Sequence, residues 1–205
     1  MAKNRSRRDQ NLRLHIAYLA ARLIAEEGIA TYAAAKQKAA RQAGLSDASQ
    51  LPDNSEVEEA LREYQGLYQS EEQPAHLRYL REVAVTVMRD FRDFRPVLVG
   101  SVLNGTAGLH SDVNLQLYTD DAKALTMFLL NKRYRFEEDT TSVRRGGRME
   151  EVPRISLEVD DAIVTITVLD PDDERSAARL RSDDEAPVRA RLEQVEALLA
   201  ASAQP

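Results

Sequence analysis

Hydrophobic and polar residues follow a helical period over the first 94 residues of the chain. Apolar side chains recur every three or four positions from residue 9 to residue 27, and Gly28 then supplies a stop signal. This pattern predicts a first helix over 9–27. Thr31 is a suitable N-cap for a second helix over 32–42, which Gly44 would end. The residues that form the first apolar stripe are Leu12, Ile16, Leu19, Leu23 and Ile24.

Two further helices are predicted in the same region. Ser55 and Glu58 have the spacing of a capping box and would open a helix that extends to about Tyr68. Pro74 fits the first turn of a fourth helix, because a first-turn proline forfeits no helical hydrogen bond. One apolar stripe of that helix comprises Leu77, Leu80, Ala84, Val87, Met88 and Phe91. We therefore predict that residues 1–94 form an all-helical region.

A different period begins at Val97. The run 97–99 is apolar and ends at Gly100-Ser101, and a glycine-rich loop leads from there to an alternating run over 112–117. An alternation of period two predicts a strand with two chemically different faces. One face would carry Asp112, Asn114 and Gln116, and the other Val113, Leu115 and Leu117. A strand that starts with Asp beside a Gly-Ser corner indicates a site for a polar ligand.

The remainder of the chain predicts one helix, three strands and a final helix. The helix would follow Asp120-Asp121 and end near residue 131, and the strands would cover 134–143, 152–159 and 162–169. Residues 171–187 are highly charged and predict a loop, which a helix over 188–200 follows. The expected organisation is α+β: a helical region over 1–94, a sheet domain over 95–170, and a charged loop with a C-terminal helix over 171–205.

Gly100-Ser101, ten intervening residues and then Asp112 form a pattern that resembles the DNA polymerase beta-like nucleotidyltransferase superfamily. The resemblance covers about 96–171 and implies a small mixed or antiparallel sheet flanked by helices. It also implies that Gly100 and Ser101 contact a triphosphate and that Asp112 holds a divalent metal ion. In that family a second acid stands two residues after the first, and a third acid lies on a later strand.

The chain departs from the family pattern at two of its three acids, so we interpret it as a divergent, bacterial-type member. Asn114 stands at the second position, and an amide offers a metal one neutral oxygen and an NH2 group that cannot face a cation. Thr165 and Thr167 stand near the third position, and Asp170, Asp172 and Asp173 lie beyond the strand end. We expect Asp112 and Asn114 to be the catalytic pair if activity persists, with Mg2+ and a nucleoside triphosphate bound weakly. Whether the chain is an enzyme stays open.

The distribution of charge along the chain suggests a second hypothesis for the function. Residues 1–44 contain nine Lys and Arg against three Asp and Glu, although the whole chain has a net charge of −6. Such a basic segment is typical of a non-catalytic protein that contacts RNA, DNA or a protein partner. It is equally typical of basic helices that pack on an acidic body. Arg144, Arg145 and Arg148 are similarly open to two interpretations, as phosphate ligands or as a solvated hairpin tip.

Other features narrow the classes of function. The chain has no Cys, which excludes disulfides and thiolate metal sites. Of its three His residues, His15 and His76 are expected in packing or surface roles, whereas His110 precedes Asp112 closely. We find no apolar run of membrane-spanning length and no signal-peptide core, so we expect a cytoplasmic protein without a membrane partner.

Overall fold

A computed structural model describes residues 2–45, 51–145, 147–176 and 189–202 of the 205-residue chain. The elements in chain order are α1 (Ala2–Glu27), α2 (Tyr32–Gln42), α3 (Asn54–Tyr68), α4 (Glu72–Asp90), a 3-10 turn (Arg92–Phe94), β1 (Val97–Val99), α5 (Ser101–Asn104), β2 (Val113–Tyr118), α6 (Ala122–Lys132), β3 (Phe136–Arg145), β4 (Arg148–Val159), β5 (Ala162–Leu169), α7 (Pro171–Ser176) and α8 (Leu192–Ala201). The α+β class predicted from the sequence is confirmed.

The chain divides into two compact units. The first unit comprises Met1–His76 with Thr106–Ser111, and the second comprises Leu77–Gly105 with Asp112–Pro205, within the described residues of each. The division falls inside α4, so α4 contributes its first turn to one unit and its remainder to the other.

The first unit is helical, and small residues on α1 allow its neighbours to approach closely. Its main core combines residues of α1, α2 and α3, namely Ile16, Ala17, Ala20, Leu23, Ala35, Ala39 and Val57. The predicted N-cap of α2 is confirmed, because the Thr31 hydroxyl accepts from the Ala34 N–H at 3.2 Å. Gln65 of α3 is buried and donates to the Thr106 carbonyl at 3.0 Å, which ties residues 106–111 to the helices.

The capping box predicted for α3 is wrong by two residues. The box is formed by Asp53 and Glu56, each of whose carboxylates accepts from the other's backbone N–H at 2.8 Å. Arg13 of α1 donates to both carboxylates, at 2.7 Å to Glu56 and 3.3 Å to Asp53. This tertiary contact favours the Asp53 register over the Ser55 register, and the Ser55 hydroxyl instead donates to Asp53 at 2.7 Å.

The second unit contains a five-stranded mixed sheet with the order β1-β2-β5-β4-β3. β1 is antiparallel to β2, β2 is parallel to β5, and the β3–β4–β5 meander is antiparallel throughout. The predicted bounds of β1 and β5 are confirmed, whereas β2 is displaced by one residue because Asp112 lies just before its first residue. The short α5 and α7 were predicted as loops.

The two faces of this sheet differ in chemistry, as the alternation predicted. Val113, Leu115 and Leu117 of β2 are buried, and so are their partners Val164 and Ile166 on β5. The opposite face, which we call the polar face, carries polar side chains in register on four strands. They are Asn114, Gln116, Thr165, Thr167, Arg154, Ser156, Glu137 and Asp139. The candidate site lies on this face.

Candidate functional site

The Gly-Ser corner lies at the end of β1 and turns the chain into α5. Gly100 has a φ of 77°, in the region that favours glycine, and it precedes Ser101, the first residue of α5. A Cβ added to Gly100 would lie 3.6 Å from the Asn114 amide nitrogen. Because Val99 pairs with Asn114 across β1 and β2, the corner projects directly over the start of the polar face.

Asp112 and Asn114, the predicted catalytic pair, lie beside this corner. Asn114 is half-buried, and its Nδ2 donates to the backbone oxygen of Asp112 at 3.2 Å. The Asp112 side chain is exposed, and its carboxyl has no hydrogen-bond or ion-pair partner in the described part of the chain. The surrounding protein still displaces enough water to raise the pKa of this carboxyl, and Arg154 opposes that rise in part.

Two hydroxyl side chains of β5 lie next to the polar residues of β2. Thr165 is the direct partner of Asn114 across the parallel β2–β5 pair, and Thr167 is the partner of Gln116. Ser156 of β4 continues the first row, since it pairs with Thr165. The row therefore consists of an amide and two hydroxyl groups, which are hydrogen-bonding groups without ionic charge at neutral pH.

Arg154 is the cation of the polar face, and the sequence interpretation did not single it out. It pairs with Thr167, and its Nη2 donates to the Asp139 carboxylate at 2.6 Å. Its Nε is buried and has no hydrogen-bond partner among the described residues. Arg154 thus places positive charge near Asp112, although its buried Nε is not accessible to solvent.

We call the region of Gly100, Ser101, Asp112, Asn114 and Thr165 the open end of the polar face. The opposite region, the closed end, is filled by the protein's own side chains. A small apolar cluster there comprises Val97, Tyr118, Val143, Val152 and Leu169. Gln116 is only 3% exposed and accepts from the Tyr118 hydroxyl at 2.8 Å. The strand alternation predicted which face carries Gln116, but it did not predict that this side chain is buried.

The acids that follow β5 are engaged within the protein, away from the open end. Asp173 is buried and accepts from Arg145 and, at 3.2 Å, from the Asp170 N–H. Asp170 in turn accepts from the Asp172 N–H at 3.0 Å. Arg145 also bonds Glu150, while Arg144 and Arg148 are exposed on the β3–β4 hairpin. Of the three arginines proposed as phosphate ligands, Arg145 therefore has internal partners.

A buried arginine supports the segment that carries the Gly-Ser corner. Arg81 of α4 is 9% exposed, and its guanidinium donates to the carbonyls of Val102 at 3.1 Å and Leu103 at 3.3 Å. Burial lowers the pKa of this arginine. In the sequence, Arg81 looks like an ordinary surface residue of α4. Its position directly after the apolar Leu80 is the signal that could have indicated its burial.

Several basic side chains among those described in the first unit have partners inside that unit. Arg13 bonds Glu56, Lys36 bonds Asn54 at 2.8 Å, and Lys38 bonds Glu27. These contacts favour basic helices that pack on their own acidic neighbours. The side chains of Lys3, Arg5, Arg7 and Arg8 lie outside those that the structure describes, as do residues 177–187 of the loop predicted over 171–187. His15 is exposed and His76 half-buried on their helices, while His110 lies against Gly28.

Comparisons with protein-family models, with curated proteins and with solved structures find no match for this chain. Within the described residues, no group of three or more His, Asp or Glu side chains is close enough to hold a metal ion. In the same part of the chain, every helix is too short or too polar to cross a bilayer.

Proposed function

We propose that the chain is a nucleotidyltransferase-fold protein that binds a nucleoside triphosphate at the open end and transfers nucleotides slowly or not at all. The observation that carries the proposal is the close approach of Gly100 to Asn114, at 3.6 Å from an added Cβ to Nδ2. The motif resemblance requires this meeting between its Gly-Ser corner and its acid-bearing strand. The antiparallel β1–β2 pair and the neighbouring Thr165 support the same assignment.

The open end supplies groups that suit a phosphate. Gly100 lacks a side chain, so an anion can approach the backbone N–H groups of the corner, and the Ser101 hydroxyl adds a donor. Arg154 acts electrostatically on Asp112, and its guanidinium adds positive charge to the face. Arginine is well suited to phosphate oxygens because its planar fork donates two parallel hydrogen bonds.

The same groups do not fit a two-metal centre. Two Mg2+ ions need several anionic oxygens, and the open end offers the single carboxylate of Asp112, the neutral amide of Asn114 and the hydroxyl of Thr165. The charge of Arg154 further disfavours a second cation. A Mg2+ ion would therefore arrive with the nucleotide phosphates, and Asp112 is the residue that would contact it. Weak binding without efficient transfer follows from this donor set.

Isothermal titration with ATP and Mg2+ tests the binding proposal. Wild-type protein should bind, and Ser101→Ala and Asp112→Ala should each weaken binding by about threefold to tenfold, the effect of losing one hydrogen bond or one ion contact. Asp120→Ala is the matched control, because Asp120 is an exposed acid of the same unit beyond the last residue of β2. Equal binding by all four proteins would refute the site.

The rival function, contact with nucleic acid or a protein through the basic N-terminal helices, has less support. Arg13, Lys36 and Lys38 already have partners within the first unit. A salt titration of RNA or DNA binding distinguishes the two hypotheses, since phosphate contacts release counterions and weaken steeply as salt rises.

A further inference from the structure

A cavity lined by arginines lies in the same unit as the open end, next to the start of β1. It has a volume of about 200 Å³ and is formed where the end of α4, the 3-10 turn and the beginning of α8 meet. Three arginines line it, Arg92, Arg95 and Arg191, together with the apolar side chains of Met88, Pro96 and Leu192. The cavity therefore combines a cationic rim with an apolar wall.

The three arginines differ in the ion pairs that they form within the protein. Glu174 accepts from Arg95 at 3.2 Å and from Arg191 at 2.8 Å, so one internal carboxylate holds two guanidinium groups side by side. Arg92 has a single contact in the described residues, with Asp93 at 3.7 Å, and both side chains are at least 80% exposed. Each guanidinium has five N–H donors, so all three keep donors for an external anion.

The charges around the cavity leave room for an anionic ligand. Glu193 also lines the cavity, Glu174 pairs with Arg95 and Arg191, and Asp93 lies 3.7 Å from Arg92, so three acids accompany the three arginines. The side chains of Arg92 and Asp93 are both at least 80% exposed, so solvent weakens their pairing and the Arg92 guanidinium stays accessible to an external anion. An anion placed between Arg92 and the Arg95–Arg191 pair would contact a guanidinium on each side.

We propose that this cavity binds a phosphoryl group carried on a small, partly apolar molecule. Forked guanidinium donors match phosphate oxygens. The volume lies below the roughly 300–1,000 Å³ of pockets that take drug-sized ligands, so a phosphomonoester with a short body fits better than a whole nucleotide. Met88, Pro96 and Leu192 would contact that body.

This cavity is separate from the open end of the polar face. It lies at the start of β1, while Gly100 and Ser101 follow the last residue of that strand, and three strand residues span roughly 10 Å. The proposal does not depend on nucleotide binding at Gly100. Variants of Ser101 and of Arg92 distinguish the two sites.

The test is a titration of the full chain with inorganic phosphate, followed by the backbone amide signals in NMR at constant ionic strength. We expect saturable shifts at Leu192 and Glu193, and a dissociation constant that rises about tenfold or more in Arg92→Ala, the effect of a lost charged hydrogen bond. Arg78→Ala is the control, because Arg78 is an exposed arginine of the same unit that pairs with Glu82 at 3.0 Å.

The variants and a second ligand give further outcomes that decide the proposal. Unchanged phosphate binding in Arg78→Ala and Ser101→Ala supports a local site. An equal loss in Arg78→Ala would show that net charge alone attracts phosphate. Saturable shifts around Ser101 in place of Leu192 would place the ion at the open end of the polar face. Either result overturns the proposal. Phenyl phosphate should bind more tightly than inorganic phosphate, and equal affinities would overturn the role of the apolar wall.

Discussion

The open and closed ends of the polar face carry the same kinds of side chain and use them differently. At the closed end, the Tyr118 hydroxyl bonds Gln116 and the Asp173 carboxylate bonds Arg145, so the buried side chains of Gln116 and Asp173 have partners within the protein. At the open end, the Asp112 carboxyl has no such partner among the described residues. Pairing stabilises the fold, whereas an unpaired acid at a raised pKa costs stability and stays available to a ligand.

The comparison shows how one sheet can provide both a core and a site. The strands that place Gln116 in the closed end also place Asn114 in the open end, two residues away on the same face. Substitutions should therefore have opposite signs at the two ends. They should destabilise the closed end and leave the open end unchanged or slightly more stable.

The largest effect is expected at Asp173. Asp173→Ala removes the buried acceptor of Arg145 and of the Asp170 N–H, so we expect the free energy of unfolding to fall by about 2–3 kcal/mol. Urea unfolding measures the change, and the exposed neighbour Asp172→Ala is the control, with an expected change within about 0.5 kcal/mol. Similar losses in both variants would show that the closed end is not held by this pair.

A smaller loss is expected at Tyr118. Tyr118→Phe keeps the buried ring and removes the hydroxyl that donates to Gln116 at 2.8 Å. The free energy of unfolding should fall by about 1 kcal/mol, the typical net contribution of one hydrogen bond. An unchanged urea midpoint would mean that this buried pair contributes nothing to the closed end.

The smallest effect, of opposite sign, is expected at Asp112. The pKa of this carboxyl is raised in the folded protein, so its ionised form opposes folding at neutral pH, and lowering the pH through the folded pKa relieves that cost. Asp112→Asn should therefore stabilise the protein at pH 7 by at most about 0.5 kcal/mol, because the side chain is exposed to solvent screening.

The pH dependence distinguishes this effect from an increase in stability that is independent of pH. The advantage of Asp112→Asn over wild type should shrink as the pH falls through the raised pKa of Asp112 and should be gone below the ordinary pKa of a carboxyl, because wild-type Asp112 is then neutral as well. Asp90→Asn is the reference, since the Tyr134 hydroxyl and Lys132 lower the pKa of Asp90. Asp90→Asn should destabilise at pH 7, and stabilisation by both substitutions would contradict the comparison.

Local patterns predicted the elements well where a single signal was present. The bounds of α2, β1 and β5 agree with the sequence because caps and period-two runs mark them without competition. The start of α3 was misplaced because Asp53 and Ser55 each have a Glu three residues later, and Arg13, distant in sequence, decides between them.

The sequence allowed the proximity of the motif residues to be predicted, but not the side chains that surround them. The sequence placed Gly100, Ser101, Asp112 and Asn114 together, and their proximity follows from adjacent strands. The burial of Gln116, the approach of Arg154 from β4 and the support from Arg81 depend on contacts between distant segments. Periodicity assigns a residue to a face and does not show what covers that face.

The central claim, phosphate binding without a competent metal centre, is tested most directly by transfer of a label from the α-phosphate of ATP or GTP in the presence of Mg2+. We predict that wild-type protein transfers little or no label. Asn114→Asp should bind Mg2+ more tightly because it adds a second carboxylate beside Asp112. Rapid transfer by wild type that Asp112→Ala abolishes would contradict the claim while keeping the site, and rapid transfer that survives Asp112→Ala would contradict both.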